Sequence, residues 1–190
     1  NAIGCALSHF RAWEQFLDSG DEGAFVFEDD AKPIETQKSQ IKSQLGSLLD
    51  DAAQFDIVFL ANRQSKSKTS VNARSAIDLC CLKYSGVGAE GYFITKPAAD
   101  RLLHNPLRWV LEVDTLMHHW WLNGNKVLYL SQPLFEEDGR TTSIGYENTV
   151  KPKGGNLFLG TLRRVNRLRW SIYKRLKFPS YLRSVIRSVM

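Results

Sequence analysis

Three consecutive acids, Glu28-Asp29-Asp30, close a wholly apolar run, Ala24-Phe25-Val26-Phe27. A short run of that kind reads as a strand buried on both faces. The triplet then stands at the carboxyl end of a strand, the edge of an α/β sheet where ligands bind. Carboxylates held so close repel one another and require a divalent cation or a strong basic partner. Hard oxygen donors favour Mg²⁺ or Mn²⁺, and a metal with few protein ligands keeps room for phosphate oxygens. The alternative is an acidic corner that only faces water.

Further polar candidates are spread along the chain. Ser8 and His9 fall on an amphipathic helix, where a buried histidine bonded to backbone is the plain reading. Asp114 follows Val113 at a predicted helix start and suits an N-cap. His118 and His119 are helix neighbours pointing about 100° apart, so they cannot form an i, i+4 zinc pair; with His104 they read as packing or surface residues. Trp109, Trp120 and Trp121 suit either sugar stacking or a core. Cys5, Cys80 and Cys81 are odd in number and lack zinc-ligand spacing, so they read as buried thiols of a reducing compartment.

The elements that must position these residues follow from periodicity. Ala6, Leu7, Phe10, Trp13, Phe16 and Leu17 recur at three and four, one face of a helix ending near Gly20. Residues 33–51 read as a polar helix and 56–61 as a second apolar strand, giving helix, strand, helix, strand and hence an α/β sheet. Residues 64–75 read as an exposed loop, 80–84 and 91–95 as strands, and Lys96-Pro97 as the start of a helix stopped at Asn105-Pro106. A helix over 114–122, a last strand over 126–130 and a loop over 132–155 complete the body.

The whole chain of 190 residues has 25 Lys plus Arg against 20 Asp plus Glu, a net charge of +5. That length and 43% hydrophobic content exclude a disordered chain and a disulfide miniprotein. The charge is uneven. Residues 1–162 carry 16 basic and 20 acidic groups, a net of −4, whereas 163–190 carry 9 basic and no acidic ones. No run approaches the ~18 apolar residues of a membrane span, and no secretory signal stands at the start. The missing initiator Met, followed at once by helical periodicity, reads as a chain cut inside a domain.

The combination is more specific than its parts. Gly4-Cys5-Ala6-Leu7-Ser8-His9, an aromatic and apolar helix, and then an apolar strand with Glu28-Asp29-Asp30-Ala31 resemble glycosyltransferase family 25. That family holds the bacterial lipooligosaccharide galactosyltransferases and the collagen galactosyltransferases. Gly91-Tyr92-Phe93-Ile94-Thr95, Ala98-Ala99, Leu102-Leu103, Val113-Asp114, Pro133 and Ser143-Ile144 follow in the family's order, so the resemblance covers roughly 1–145.

The resemblance implies a GT-A type fold, a Rossmann-like mixed sheet flanked by helices. It also implies a UDP-sugar donor, usually UDP-galactose, and inversion at the anomeric carbon. Glu28-Asp29-Asp30 becomes the counterpart of an Asp-x-Asp motif with Mn²⁺ or Mg²⁺: Asp30 is the strongest metal ligand and Glu28 lies nearer the ribose or a metal-bound water. Ser8, His9, Glu28 and Asp29 are expected at the donor, and Asp114 as the base, with Glu112 a rival. Such enzymes begin with a strand and helix that cradle the uridine, ahead of the Gly-Cys segment. The expected catalytic domain, 1–155, therefore lacks its first strand-helix unit. A non-catalytic remnant that binds carbohydrate or membrane is the competing reading.

Residues 156–190 form the expected tail. Its nine cations alternate with aromatics and aliphatics at mixed three and four spacing, which describes an interfacial helix interrupted at Pro179. Each Lys or Arg near an anionic leaflet contributes about 1 kcal/mol. The reading is a cytoplasmic enzyme attached peripherally to the inner membrane beside a glycolipid or oligosaccharide acceptor. A disordered basic tail is the alternative, and the acidic body argues against a nucleic-acid partner.

Overall fold

The computed structural model describes residues 2–61, 68–71, 77–83, 86–139 and 157–189, with side chains from residue 3 onward and, in the last segment, from residue 168. Ser143-Ile144 and most of the loop expected over 132–155 lie outside the described residues. The architecture is a mixed sheet flanked by helices. Six strands run in the order β1 (Gly23–Phe27), β6 (Gly91–Thr95), β3 (Ile57–Phe59), β7 (Val127–Leu130), β5 (Leu79–Leu82) and β4 (Lys68–Val71). A two-stranded ribbon joins β2 (Ala31–Pro33) to β8 (Phe135–Glu137).

The pairing is mostly antiparallel. Among the described strands only β3 and β7 are parallel neighbours, with Ile57 opposite Val127. Alternating helices and strands lead one to expect parallel neighbours throughout, but β6 inserts between β1 and β3 and pairs antiparallel with both. β1, β3 and β7 therefore still point the same way. Their carboxyl ends share one edge with the segment that enters β6.

β1 is a half-buried edge strand, not the doubly covered one its apolar run implies, because only β6 flanks it. Helix α1 (Ala2–Asp18) buries Phe10, Trp13 and Phe16, a face of residues three apart. It packs against α3 (Lys96–Leu103), which starts with Thr95 as N-cap and Pro97 in its first turn. Tyr92, Phe93 and Ile94 of β6, with Ile57, Val58 and Phe59 of β3, form the centre of the core. Cys80 and Cys81 are buried in β5 as expected, and burial pushes the Cys81 thiol up to about 12.

Several local expectations are corrected. Residues 33–51 do not form one helix: β2 ends at Pro33, a 3₁₀ turn spans Glu35–Gln37, and α2 begins at Lys38. Part of the polar stretch over 64–75 is strand β4, whose Val71 is buried against the sheet. The helix expected over 114–122 divides at His119 into α4 (Val113–His118) and α5 (Trp120–Asn123).

The basic tail is a single helix, α6 (Leu157–Val189), that runs through Pro179. Proline in a helix interior costs about 3 kcal/mol, and here packing on both sides outweighs it. Phe178, Val185 and Val189 are buried, and the Tyr181 ring stacks on Trp120 at 4.1 Å. The Tyr181 hydroxyl accepts from Val127 N–H at 2.7 Å and donates to Val127 O at 3.0 Å. The C-terminal half of the tail is thus docked on the body.

Candidate functional site

The Glu28-Asp29-Asp30 triplet forms the turn between the main sheet and the ribbon. Ala31 N–H donates to Glu28 O at 3.1 Å, closing the turn, and Asp138 N–H donates to Asp30 O at 2.9 Å. Glu28 N–H donates to Glu90 O at 3.0 Å, which ties the turn to the entry of β6. Beside it lies a cleft of about 300 Å³ lined by Asp29, Asp30, Ala31, Lys32, Pro33 and Asp138.

A directed hydrogen-bond chain fixes Glu28. Trp13 Nε1 can only donate, and it gives its hydrogen to the Tyr92 hydroxyl at 2.8 Å. That hydroxyl, 2.8 Å from His9 Nδ1, donates its own hydrogen there. His9 Nε2 then carries the ring proton and donates to Glu28 Oε1 at 3.0 Å. The chain runs one way, from the buried indole to the carboxylate. His9 is 4% exposed, and burial holds Tyr92 neutral by raising its pKa well above the usual phenol value.

Cys5 departs from the buried-thiol reading. One turn before His9, it is half-buried, and its thiol donates to Glu28 Oε1 at 3.6 Å. Its pKa is pushed up to about 11, first by burial and then by the charges of Glu28, Asp114 and Asp30. Glu28 and Asp30, two residues apart in one turn, and Asp114, far along the chain, thus all act on this thiol. Asp30 is raised as well, by desolvation, then by Glu28 and Glu137, with Asp29 adding a smaller push. Its Oδ1 is sealed from solvent and accepts no hydrogen bond among the described residues.

A buried carboxylate oxygen without a donor, beside like charges, is a site that suits a cation. Asp30 thus fits the metal expected from the sequence. Glu28 Oε1, by contrast, is turned to His9 and Cys5. Ser8 donates to Gly4 O at 3.1 Å on the exposed side of α1, and Asp29 is exposed on the cleft.

Asp114 occupies the second position of α4, after Glu112 as N-cap residue, so it is not itself the cap. Its Oδ1 accepts from Thr115 N–H at 2.5 Å and its Oδ2 from Gly88 N–H at 3.3 Å. His118, on the same helix, donates from Nε2 to Gly88 O at 2.7 Å and accepts at Nδ1 from the Tyr129 hydroxyl at 2.7 Å. It stacks on Phe59 at 3.8 Å, and burial pulls its pKa down to about 4, which keeps it neutral. It is a packing residue, as expected.

The segment from Gly86 to Glu90 escaped the sequence reading. Gly88 has φ +93°, a backbone conformation that favours glycine, and a Cβ there would also crowd the Glu90 carboxylate. Three glycines, Gly86, Gly88 and Gly91, before a buried strand were the available signal. Of the tryptophans, Trp120 is buried against α6, while Trp109 is exposed and sits edge-on to Phe10 at 5.4 Å.

A family model, glycosyltransferase family 25 (LPS biosynthesis protein), matches residues 1–117. The chain is 26% identical over 116 residues to a protein of Rattus norvegicus named probable inactive glycosyltransferase 25 family member 3, covering 60% of this chain and 20% of that one. It is 29% identical over 140 residues to procollagen galactosyltransferase 2 of Homo sapiens, covering 70% and 20%. With procollagen galactosyltransferase 1 of Danio rerio it shares 22% over 135 residues, 70% and 21%. The matches span about one fifth of the length of these curated relatives. The family model covers the helix that delivers His9, the turn that carries Glu28 and the start of the helix that carries Asp114, and this chain belongs to glycosyltransferase family 25.

Proposed function

We propose that this chain is part of an inverting galactosyltransferase of GT-A type that moves galactose from UDP-galactose to a surface glycan acceptor, a lipooligosaccharide or other oligosaccharide. One observation carries the reading: in the turn that also holds Glu28 and Asp29, the buried Oδ1 of Asp30 has no hydrogen-bond partner among the described residues. Asp30, with its unpartnered Oδ1, is the residue to hold Mn²⁺ or Mg²⁺, with Asp29 beside it. Such a cation, when bound, neutralises the charge that develops on the departing diphosphate.

The remaining roles belong to the chain's own side chains. Asp114 takes the proton from the acceptor hydroxyl as that oxygen bonds to the anomeric carbon and the bond to the diphosphate breaks. Hydrogen bonds from Thr115 and Gly88 N–H hold its two oxygens in place and aim it. The Trp13–Tyr92–His9 chain holds Glu28 in one orientation toward the donor ribose. Ser8 lines the exposed flank of the same helix as His9.

We further propose that α6 attaches the protein to an anionic membrane surface. Leu168, Ile172 and Leu176 form an exposed i, i+4 ridge away from the docked face of Phe178, Val185 and Val189. Arg169, Arg175, Lys177, Arg183 and Arg187 are exposed around it. The proposed attachment is peripheral, at the cytoplasmic face of an inner membrane; no helix among the described residues is long and apolar enough to cross a membrane.

The transfer reading is tested by UDP release from UDP-galactose with Mn²⁺ and an oligosaccharide acceptor. Loss of a general base costs about 10²–10⁴-fold, so Asp114→Asn is expected to fall by that factor with donor binding unchanged. Donor binding without turnover in the unaltered protein would instead favour a non-catalytic carbohydrate-binding member, a reading that relatives named inactive keep in play.

A further inference from the structure

The sulfur of Cys5, the imidazole of His9 and the carboxylate of Glu28 converge on one point of the site's inner wall. All three donor atoms lie within 4.8 Å of one another. We infer that Cys5 Sγ, His9 Nε2 and Glu28 Oε1 form a binding site for a thiophilic divalent cation of the Zn²⁺ class, separate from the oxygen-lined position at Asp30.

The donor spacing is close to that of a tetrahedral site. Tetrahedral Zn²⁺, with bonds of about 2.3 Å to sulfur and 2.0–2.2 Å to nitrogen and oxygen, sets sulfur and oxygen about 3.6 Å apart and nitrogen and oxygen about 3.4 Å apart. Here Sγ and Oε1 are 3.6 Å apart, and Nε2 and Oε1 are 3.0 Å apart. Those two edges lie within about 0.4 Å of the tetrahedral values, and the third, between Sγ and Nε2, lies within 4.8 Å. Cys5 and His9 sit one turn apart on α1, and Glu28 comes from the end of β1. Two ligands are thus held on a helix, and the third opens a turn tied to the entry of β6 by the Glu28 N–H to Glu90 O hydrogen bond.

The surroundings fit as well. The site has a rigid second layer of partners, since His9 Nδ1 faces the Tyr92 hydroxyl at 2.8 Å, and Trp13 anchors that hydroxyl in turn. A ligating histidine characteristically has such a partner on its other nitrogen. The nearby charges of Asp114 and Asp30 add to the attraction for a cation. The donor set is also the wrong one for Mg²⁺ or Mn²⁺, which prefer oxygen alone. Loading releases one proton, from the Cys5 thiol; the His9 ring proton moves from Nε2 to Nδ1 and is donated to the Tyr92 oxygen, whose own hydrogen rotates away from His9. Three protein ligands leave a fourth coordination position, and the cation replaces the His9–Glu28 hydrogen bond with a shared metal.

The readout is spectroscopic and independent of the transferase reading. Titrating the full chain with Co²⁺ alone is expected to give a near-ultraviolet thiolate-to-cobalt charge-transfer band that saturates at one equivalent and is removed by Zn²⁺ but not by Mg²⁺. Cys5→Ser should abolish the band, and Glu28→Gln should weaken binding about tenfold or more. Asp30→Asn should leave the band intact, which separates this site from the donor-metal position. Cys80 and Cys81 supply no band because both are buried in β5. Circular dichroism of Cys5→Ser confirms that its fold is kept, and His9→Gln serves as a second disrupting variant. A band that survives Cys5→Ser, or Co²⁺ binding with no thiolate band in the unaltered protein, overturns the inference.

Discussion

Replacing Tyr92 with phenylalanine deletes one oxygen, and that oxygen is where two buried groups meet. Trp13 Nε1 donates to it at 2.8 Å and His9 Nδ1 receives its hydrogen at 2.8 Å. Trp13 and Tyr92 are fully buried and His9 nearly so, so water cannot substitute without opening the core. Each buried polar group left without a partner costs about 1–3 kcal/mol. The two together predict a loss of about 2–6 kcal/mol. At about 2–4 °C per kcal/mol for a domain of this size, the thermal midpoint falls by about 4–24 °C. Urea denaturation of wild type, Tyr92→Phe, Trp13→Phe and the double variant gives the coupling energy directly. It should reach about 1 kcal/mol or more, in the range found for residues in one network. A stability loss under about 0.5 kcal/mol, or additive effects of the two substitutions, would refute the hydrogen-bond chain as drawn.

Asp30→Asn is expected to stabilise the metal-free protein at neutral pH by about 1 kcal/mol, at the low end for an unsatisfied group because the carboxylate is partly exposed. A carboxyl whose pKa is raised on folding disfavours the folded state once ionised. The gain should therefore vanish as pH falls below the ordinary aspartate range, a trend readable by thermal unfolding. His118 behaves oppositely. Its pKa falls from 6.5 to about 4 on folding, so below pH 6.5 the unfolded chain gains a proton that the folded one refuses. Stability should drop between pH 6.5 and 4 by on the order of 3 kcal/mol, and denaturation on either side of that window compares the two states. Gly88→Ala should lose about 1–3 kcal/mol from its positive φ alone, with the Asp114 contact disturbed and a slower transfer. Vesicle flotation should show anionic lipid binding that high salt reverses. A charge placed on the apolar ridge, as in Ile172→Glu, should remove that binding without changing the thermal midpoint.

Part of this was legible in the residues. The face of Phe10, Trp13 and Phe16, the apolar strands and the proline-started α3 all follow from short-range rules that burial then enforces. The position of Glu28-Asp29-Asp30 at a carboxyl edge was legible for the same reason. Strand order was not, since β6 pairs with β1 across more than sixty residues and nothing local encodes that insertion. β2, β4 and β8 are three or four residues long and polar, and pairing rather than propensity makes them strands. The tie from Tyr92 to His9 spans 83 positions, and it turns an ordinary core tyrosine into the support of a site carboxylate. The docking of Tyr181 on Val127 likewise escaped a reading of the tail by charge alone.

Asp30 and its neighbours are proposed to receive a divalent cation together with a sugar nucleotide, and everything said of transfer depends on that. Calorimetric titration of UDP-galactose into the protein, with and without Mn²⁺, probes the point without requiring an acceptor. Binding should require Mn²⁺ and weaken about tenfold or more in Asp30→Asn, the scale on which changes around a metal act. Equal affinity with and without Mn²⁺, or binding indifferent to Asp30→Asn, would contradict it.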